Sequence, residues 1–221
     1  MTAERAGFMP WLLWNFAKQD YAKRELVVVD ASSRALEPSD PTIRVVRCPP
    51  GTNVARMRNF AVDAARGDLI AWFDDDDWQH PRRLSILAAA LGEDGVLAGC
   101  SRGWFVDLQH ARARPYEVRG GVIFNGLAVR RSALGGVRFD ERRERAADTA
   151  WVRAVRGKAR VRVVPEVLSF WLCHDGNLSN PAGRRVFPYR LAEVARAVRA
   201  DDWGDTDEQL ERLRVTCSPH S

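Results

Sequence analysis

Cysteine is scarce and scattered in this sequence: Cys48, Cys100, Cys173 and Cys217 form no CxxC pair. That spacing argues against a disulfide framework and against a zinc site, and it predicts free thiols in a reducing, cytoplasmic compartment. No apolar run approaches the ~20 residues a membrane-spanning helix needs, and the opening residues do not read as a secretory leader. Lysine is nearly missing. Only Lys18, Lys23 and Lys158 are present, and the other 31 of the 34 basic residues are arginine, the side chain that grips phosphate oxygens bidentately. These arginines are spread along the chain and alternate with acids, as in Glu141-Arg-Arg-Glu-Arg145, which argues against a nucleic-acid partner. No Gly-rich, Lys-containing phosphate loop stands near the N-terminus, so a nucleotidyltransferase finds no support. Internal repeats and low-complexity linkers are also absent.

What is present is an ordinary globular composition. The chain has 221 residues, 46% of them hydrophobic and 29% charged, enough for one sizeable core. Strands and helices alternate through the first 95 residues. A helix over 10–20 is followed by strands at Glu25 to Asp30 and Ile43 to Val46. Then come a helix from Thr52 or Asn53 through Arg66, a strand at Leu69 to Phe73, and a helix that starts near Pro81. This alternation predicts right-handed βαβ units in a mostly parallel sheet. After residue 95 the pattern changes to short strands at Val96 to Cys100, Trp104 to Val106 and Val122 to Phe124, a helix near Ala147 to Arg156, and strands at Val161 to Val164 and Val167 to Leu172. A charged helical tail over 188–214 carries Leu191, Val194, Ala195 and Val198 at helical spacing. Packing on the core is its favoured role, with dimerisation and peripheral membrane contact as alternatives.

The strand at Leu69 ends in four consecutive acids, Asp74, Asp75, Asp76 and Asp77. Carboxylates this close repel one another unless cations sit among them. They stand where open α/β sheets bind ligands, beyond the carboxyl end of a strand. The competing reading is a solvated acidic turn.

The order of motifs resembles a family 2 glycosyltransferase with the glycosyltransferase-A fold, over roughly residues 8 to 180. The resemblance is carried by Gln19-Asp-Tyr21, Glu25-Leu-Val-Val-Val-Asp30-Ala-Ser-Ser33, Asn53 to Asn59, Ala65-Arg-Gly-Asp68, the aspartate cluster with Trp78 and Pro81, Phe139-Asp-Glu141, Asp148-Thr-Ala-Trp151 and His174-Asp-Gly-Asn177. It implies an α/β, Rossmann-like sheet flanked by helices, with a nucleotide-binding half (1–95), an acceptor-binding half (96–181) and a C-terminal helical tail (182–221). It further implies inverting transfer of a sugar from a nucleotide diphosphate donor, a UDP-sugar being favoured, to an acceptor hydroxyl, assisted by Mn2+ or Mg2+. Glycan, lipid, protein and small-molecule acceptors, and every oligomeric state, stay open.

Residue by residue, Asp74 and Asp76 fall on the outer positions of the family's DxD motif. Asp76 becomes the expected metal ligand, with Asp74 or Asp75 nearer the ribose and Asp77 structural. His174 matches the histidine that completes the metal site, against an ordinary hydrogen-bonded histidine. Asp30 matches the acid that binds the nucleotide base, against a turn cap before Ser32. Arg58 is expected at the diphosphate or paired with the aspartates, and for Asn59 beside it the alternative is that it only holds the helix. Asp148 matches the catalytic base, against a helix N-cap. Trp151 is expected in the core, and Trp104 is a weaker acceptor-site candidate.

Two departures stand out. Ala147 occupies the place of the glutamate that usually precedes the base. Met1 to Arg5 stand where the family's first strand should be ending, so that strand is expected to be missing and an upstream apolar segment is expected in the reading frame. A non-catalytic nucleotide-sugar-binding or scaffold protein is therefore the alternative function.

Overall fold

The computed structural model describes residues 6–143, 146–157, 161–174, 188–196, 198 and 200–216. The expected Asp175-Gly-Asn177 motif segment, the boundary at 181/182 and Cys217 lie outside these residues.

Helix α1 (Met9–Ala17) buries Trp11, Leu12 and Phe16, and strand β1 (Leu26–Asp30) pairs in parallel with β2 (Ile43–Arg47). Asn53 caps α2 (Val54–Ala64): its side-chain oxygen accepts the Arg56 amide at 2.9 Å, satisfying one of the unpaired donors of the first turn. Strand β3 (Leu69–Ala71), shorter than its apolar run, delivers the aspartates, which lead into β4 (Trp78–Gln79) and α3 (Arg83–Leu91). Next come β5 (Leu97–Cys100), β6 (Arg102–Asp107), β7 (Arg112–Glu117) and β8 (Leu127–Arg130). Helix α4 (Ala147–Arg156) precedes β9 (Val161–Val164) and β10 (Ser169–Cys173). Strand β11 (Tyr189–Arg190), α5 (Leu191–Ala195), α6 (Ala200–Trp203) and α7 (Thr206–Thr216) complete the tail.

The α/β class holds, while the pairing is more mixed than the strand-helix alternation implies. Of the eight strand pairs among the described residues, three are parallel (β1·β2, β6·β10, β5·β9) and five antiparallel. The reason is local: parallel neighbours need a long crossover, and the second half supplies short links such as the one between β6 and β7. The expected strand at Val122 to Phe124 is instead the approach to a 3-10 turn, Phe124–Gly126, and the strand follows it as β8. That turn lets β8 lie between β3 and β5.

Among the described residues β1 pairs only with β2, and β3 only with β8. A cleft of about 400 Å³ opens between them, lined by Leu26, Val27, Leu69, Ile70, Leu84 and Leu87.

The tail packs on the core. Val194, Val198, Trp203, Leu210 and Leu213 are buried against Trp11, Trp78, Phe170 and Leu172. Trp78 stacks on Phe170 with centroids 4.4 Å apart and donates its indole N–H to Thr206 Oγ1 at 3.4 Å. Arg82 grips Asp202 bidentately, at 3.0 and 3.1 Å. No described helix is long and apolar enough to cross a membrane.

Buried His80 also faces Asp202, at 3.4 Å. Burial pushes its imidazole below the ordinary value, helped by Arg82 and opposed by Asp202, Asp20 and Glu166. A depressed folded value means that its contribution to stability is present above the unfolded value of ~6.5 and is lost as pH falls through the folded value. Urea midpoints measured between about pH 7 and pH 5 should therefore fall more steeply for the unmutated chain than for His80→Gln; parallel slopes would exclude this role.

Candidate active site

The carboxyl ends of β3 and β10 meet at the aspartate turn. Asp76 Oδ2 lies 3.2 Å from His174 Nε2, although the two residues are 98 positions apart. Both are buried, at 8% and 7% exposure, and the Phe8 ring covers the imidazole with centroids 4.8 Å apart. A carboxylate oxygen and an imidazole nitrogen form a donor pair suited to Mn2+ or another borderline-hard divalent ion. Among the described residues no group of three or more His, Cys, Asp or Glu side chains is gathered for a metal. Any ion held by the Asp76 and His174 pair would therefore take its remaining ligands from elsewhere.

Arg58 reaches the same turn from α2, with its guanidinium 3.6 Å from Asp74 Oδ1. Its planar group lies over Phe124 at 4.3 Å and Phe139 at 5.5 Å, which fixes it while leaving charge for an anion. This is the pairing with the aspartates that was one of the two roles expected for Arg58. Asn59 holds more than its own helix: its amide donates to Phe139 O at 3.1 Å and Glu141 Oε1 at 2.9 Å, and its oxygen accepts the Phe139 amide.

Asp75 and Asp77 are buried beside Asp76, at 3% and 4% exposure. Burial, then the Asp76 and Asp74 carboxylates, push the Asp77 carboxyl well above the ordinary range, against hydrogen bonds from Asn125 and the Leu172 amide.

Asp30 is wholly buried at the end of β1. One oxygen accepts the amide of Ser32 at 2.9 Å and its hydroxyl; the other accepts the Leu36 amide at 3.2 Å and the Arg47 guanidinium. This is the turn-capping arrangement, extended to fold the 31–36 loop against Arg47.

Asp148 is not an N-cap. Ala146 holds that position without a side-chain bond, and Asp148 stands inside the first turn of α4, half-exposed, with Oδ1 accepting the Thr149 amide at 2.7 Å. Three residues on, Trp151 is 2% exposed and stacks on Phe139 at 4.9 Å with Trp72 edge-on at 5.6 Å, so its core role is confirmed. Trp151→Ala should lower unfolding free energy by about 3–5 kcal/mol, the usual loss for a large buried aromatic, as read by urea titration. Trp104 meets Tyr189 edge-on at 5.6 Å.

Sequence reasoning missed Arg83, which is fully buried, donates to Gln79 Oε1 at 2.8 Å and Leu127 O at 3.1 Å, and lies 4.7 Å from the Phe73 ring. Burial lowers its pKa to about 10, with Asp74 and Asp77 acting in the opposite direction. It also missed Asn125. Neither residue sits in a motif that marks it.

The model of the family described as Glycosyl transferase family 2 matches residues 4–143. The chain belongs to this family. The family 2 chain is 32% identical over 80 residues to the WcaA protein of Escherichia coli (strain K12), assigned as a colanic acid biosynthesis glycosyl transferase; the match covers 33% of this chain and 29% of WcaA. Its fold resembles S. aureus TarS 1-349 solved with UDP-GlcNAc (TM-score 0.61, 19% identity, covering 76% of this chain and 56% of that one). It also resembles the mannosyltransferase PcManGT from Pyrobaculum calidifontis solved with GDP-Man and Mn2+ (TM-score 0.62, 17% identity, covering 80% and 56%). The family 2 chain thus has a glycosyltransferase-A fold and spans about half the length of these solved structures.

Proposed function

We propose that this family 2 chain is a metal-dependent inverting glycosyltransferase that moves a sugar from a nucleotide diphosphate donor to an acceptor hydroxyl. The observation that carries the reading is the buried Asp76 and His174 pair, brought to 3.2 Å at the carboxyl ends of two strands. A bound Mn2+ or Mg2+ would neutralise charge on the departing diphosphate as a Lewis acid. Asp76 and His174 would hold that ion, and Arg58, fixed over Phe124, would supply a second positive charge for phosphate oxygens. Asp74 or Asp75 would bind nearer the ribose. Asp30 shapes the base site by folding the 31–36 loop, since both of its oxygens are already engaged there. Asp148 removes the proton of the acceptor hydroxyl as that oxygen attacks the anomeric carbon opposite the leaving group. The relatives solved with UDP-GlcNAc and with GDP-Man and Mn2+ support a nucleotide-sugar donor and a divalent cation.

Calorimetry with UDP, TDP, GDP and CDP, each with and without Mn2+, tests the reading. Metal-dependent binding of one nucleotide is the expected result and names the base. A folded protein that binds none of the four overturns the proposal.

A further inference from the structure

We infer that Asp77 is the positioning residue that sets the separation of Asp76 and His174, working through Asn125; this rests on the metal-holding role proposed above for that pair. The Asp77 carboxylate is tied to β10 at two points. Its Oδ1 accepts the Leu172 amide at 3.1 Å, two residues before His174. Its Oδ2 accepts the Asn125 amide N–H, and Asn125 Oδ1 in turn accepts the Ser169 hydroxyl at 3.1 Å. The Asp77 main chain is tied in the other direction, to α1: its carbonyl accepts the Trp11 indole N–H at 3.0 Å and the Asn15 amide at 3.4 Å. Asn15 Oδ1 accepts the Gln79 amide at 2.8 Å. Asp77 is therefore pinned from both sides, with its neighbour Asp76 directed at the residue that follows β10.

The same contacts direct the Asp77 carboxylate to the strands it joins, each of its oxygens accepting an N–H donor. Ligand-bearing groups held by such outer contacts typically lose 10–100-fold in metal affinity when the contact is broken.

The donor-acceptor pattern supplies its own control. In Asp77→Asn the new amide keeps an oxygen for the Leu172 N–H but turns a donor toward the donor of Asn125. Adding Asn125→Asp restores the match: the new carboxylate accepts from the asparagine at 77 and still accepts the Ser169 hydroxyl. Mn2+ affinity of the full chain, measured by electron paramagnetic resonance alongside Tm, should fall about 10–100-fold in Asp77→Asn and recover in the Asp77→Asn/Asn125→Asp double variant. A folded double variant that fails to bind Mn2+ would overturn the positioning role, because the carboxylate at 77 would then be needed for itself. A single variant with lowered Tm but unchanged Mn2+ affinity would overturn it equally, leaving Asp77 purely structural. Absence of Mn2+ binding by the unmutated chain is a different failure: it overturns the metal-dependent reading and this inference with it.

Discussion

Asp76→Asn should remove the Mn2+-dependent part of nucleotide binding while leaving the fold intact. The substitution preserves shape and an oxygen facing His174, so α1, β4 and β10 keep their contacts. What it removes is the negative charge and the second equivalent oxygen, which are what a hard divalent cation binds. A direct ligand contributes at least as much as the outer contacts, so the expected loss of Mn2+ affinity is on the order of 100-fold or more. Calorimetry with UDP separates the two contributions. Without metal, the unmutated chain and Asp76→Asn should bind alike, through Arg58 and the loop shaped by Asp30; with Mn2+, only the unmutated chain should tighten. Equal tightening in both proteins would take Asp76 out of the metal site. Arg58→Ala should give the complementary result, weakening nucleotide binding with and without metal, because its 3.6 Å pairing with Asp74 does not involve the Asp76 and His174 pair.

The aspartate turn could be found in the sequence because its physical demand is local: four acids after an apolar strand require compensation whatever surrounds them. Asn53 as a cap and α4 over Ala147–Arg156 were legible for the same reason, since caps and helical stripes depend on residues within a few positions. The pairing of β3 was not legible. Its partner β8 is four residues long and follows a 3-10 turn that reads as part of a strand. β7 was hidden by Pro115 and by alternating arginines, yet it pairs on both sides, with β6 and β11. Buried polar roles were the least legible. Arg83 reaches Leu127 across 44 positions, and Asp77 reaches Leu172 across 95. Nothing near either residue in the chain signals a partner that only the tertiary fold supplies. Asp30 shows the converse: its motif and the turn cap at Ser32 were visible, but the engagement of its second oxygen by Leu36 and Arg47 was not.

Asp148→Asn should lower kcat by about 10²–10⁴, the usual contribution of a positioned general base, with the donor's Kd unchanged. The prediction rests on the catalytic role proposed for Asp148, with which its surroundings are compatible. Asp148 caps nothing beyond the amide of the next residue, and it is half-exposed on the first turn of a helix anchored one turn later. That anchor, Trp151, stacks on Phe139, and Phe139 and Phe124 both lie under the Arg58 guanidinium. One aromatic cluster therefore supports the proposed base and the proposed phosphate-binding arginine together, which is the rigid support that a near-attack geometry needs. Ala147 offers no second carboxylate beside the proposed base, so the loss on substitution should lie at the upper end of that range. The measurement is single-turnover transfer or, before an acceptor is known, hydrolysis of the donor identified by calorimetry. Retained donor binding with lost turnover supports the enzyme. Unmutated protein that binds the donor and never turns it over, with any acceptor class, would instead favour a nucleotide-sugar-binding scaffold, in which the aromatic cluster stiffens a site that only binds.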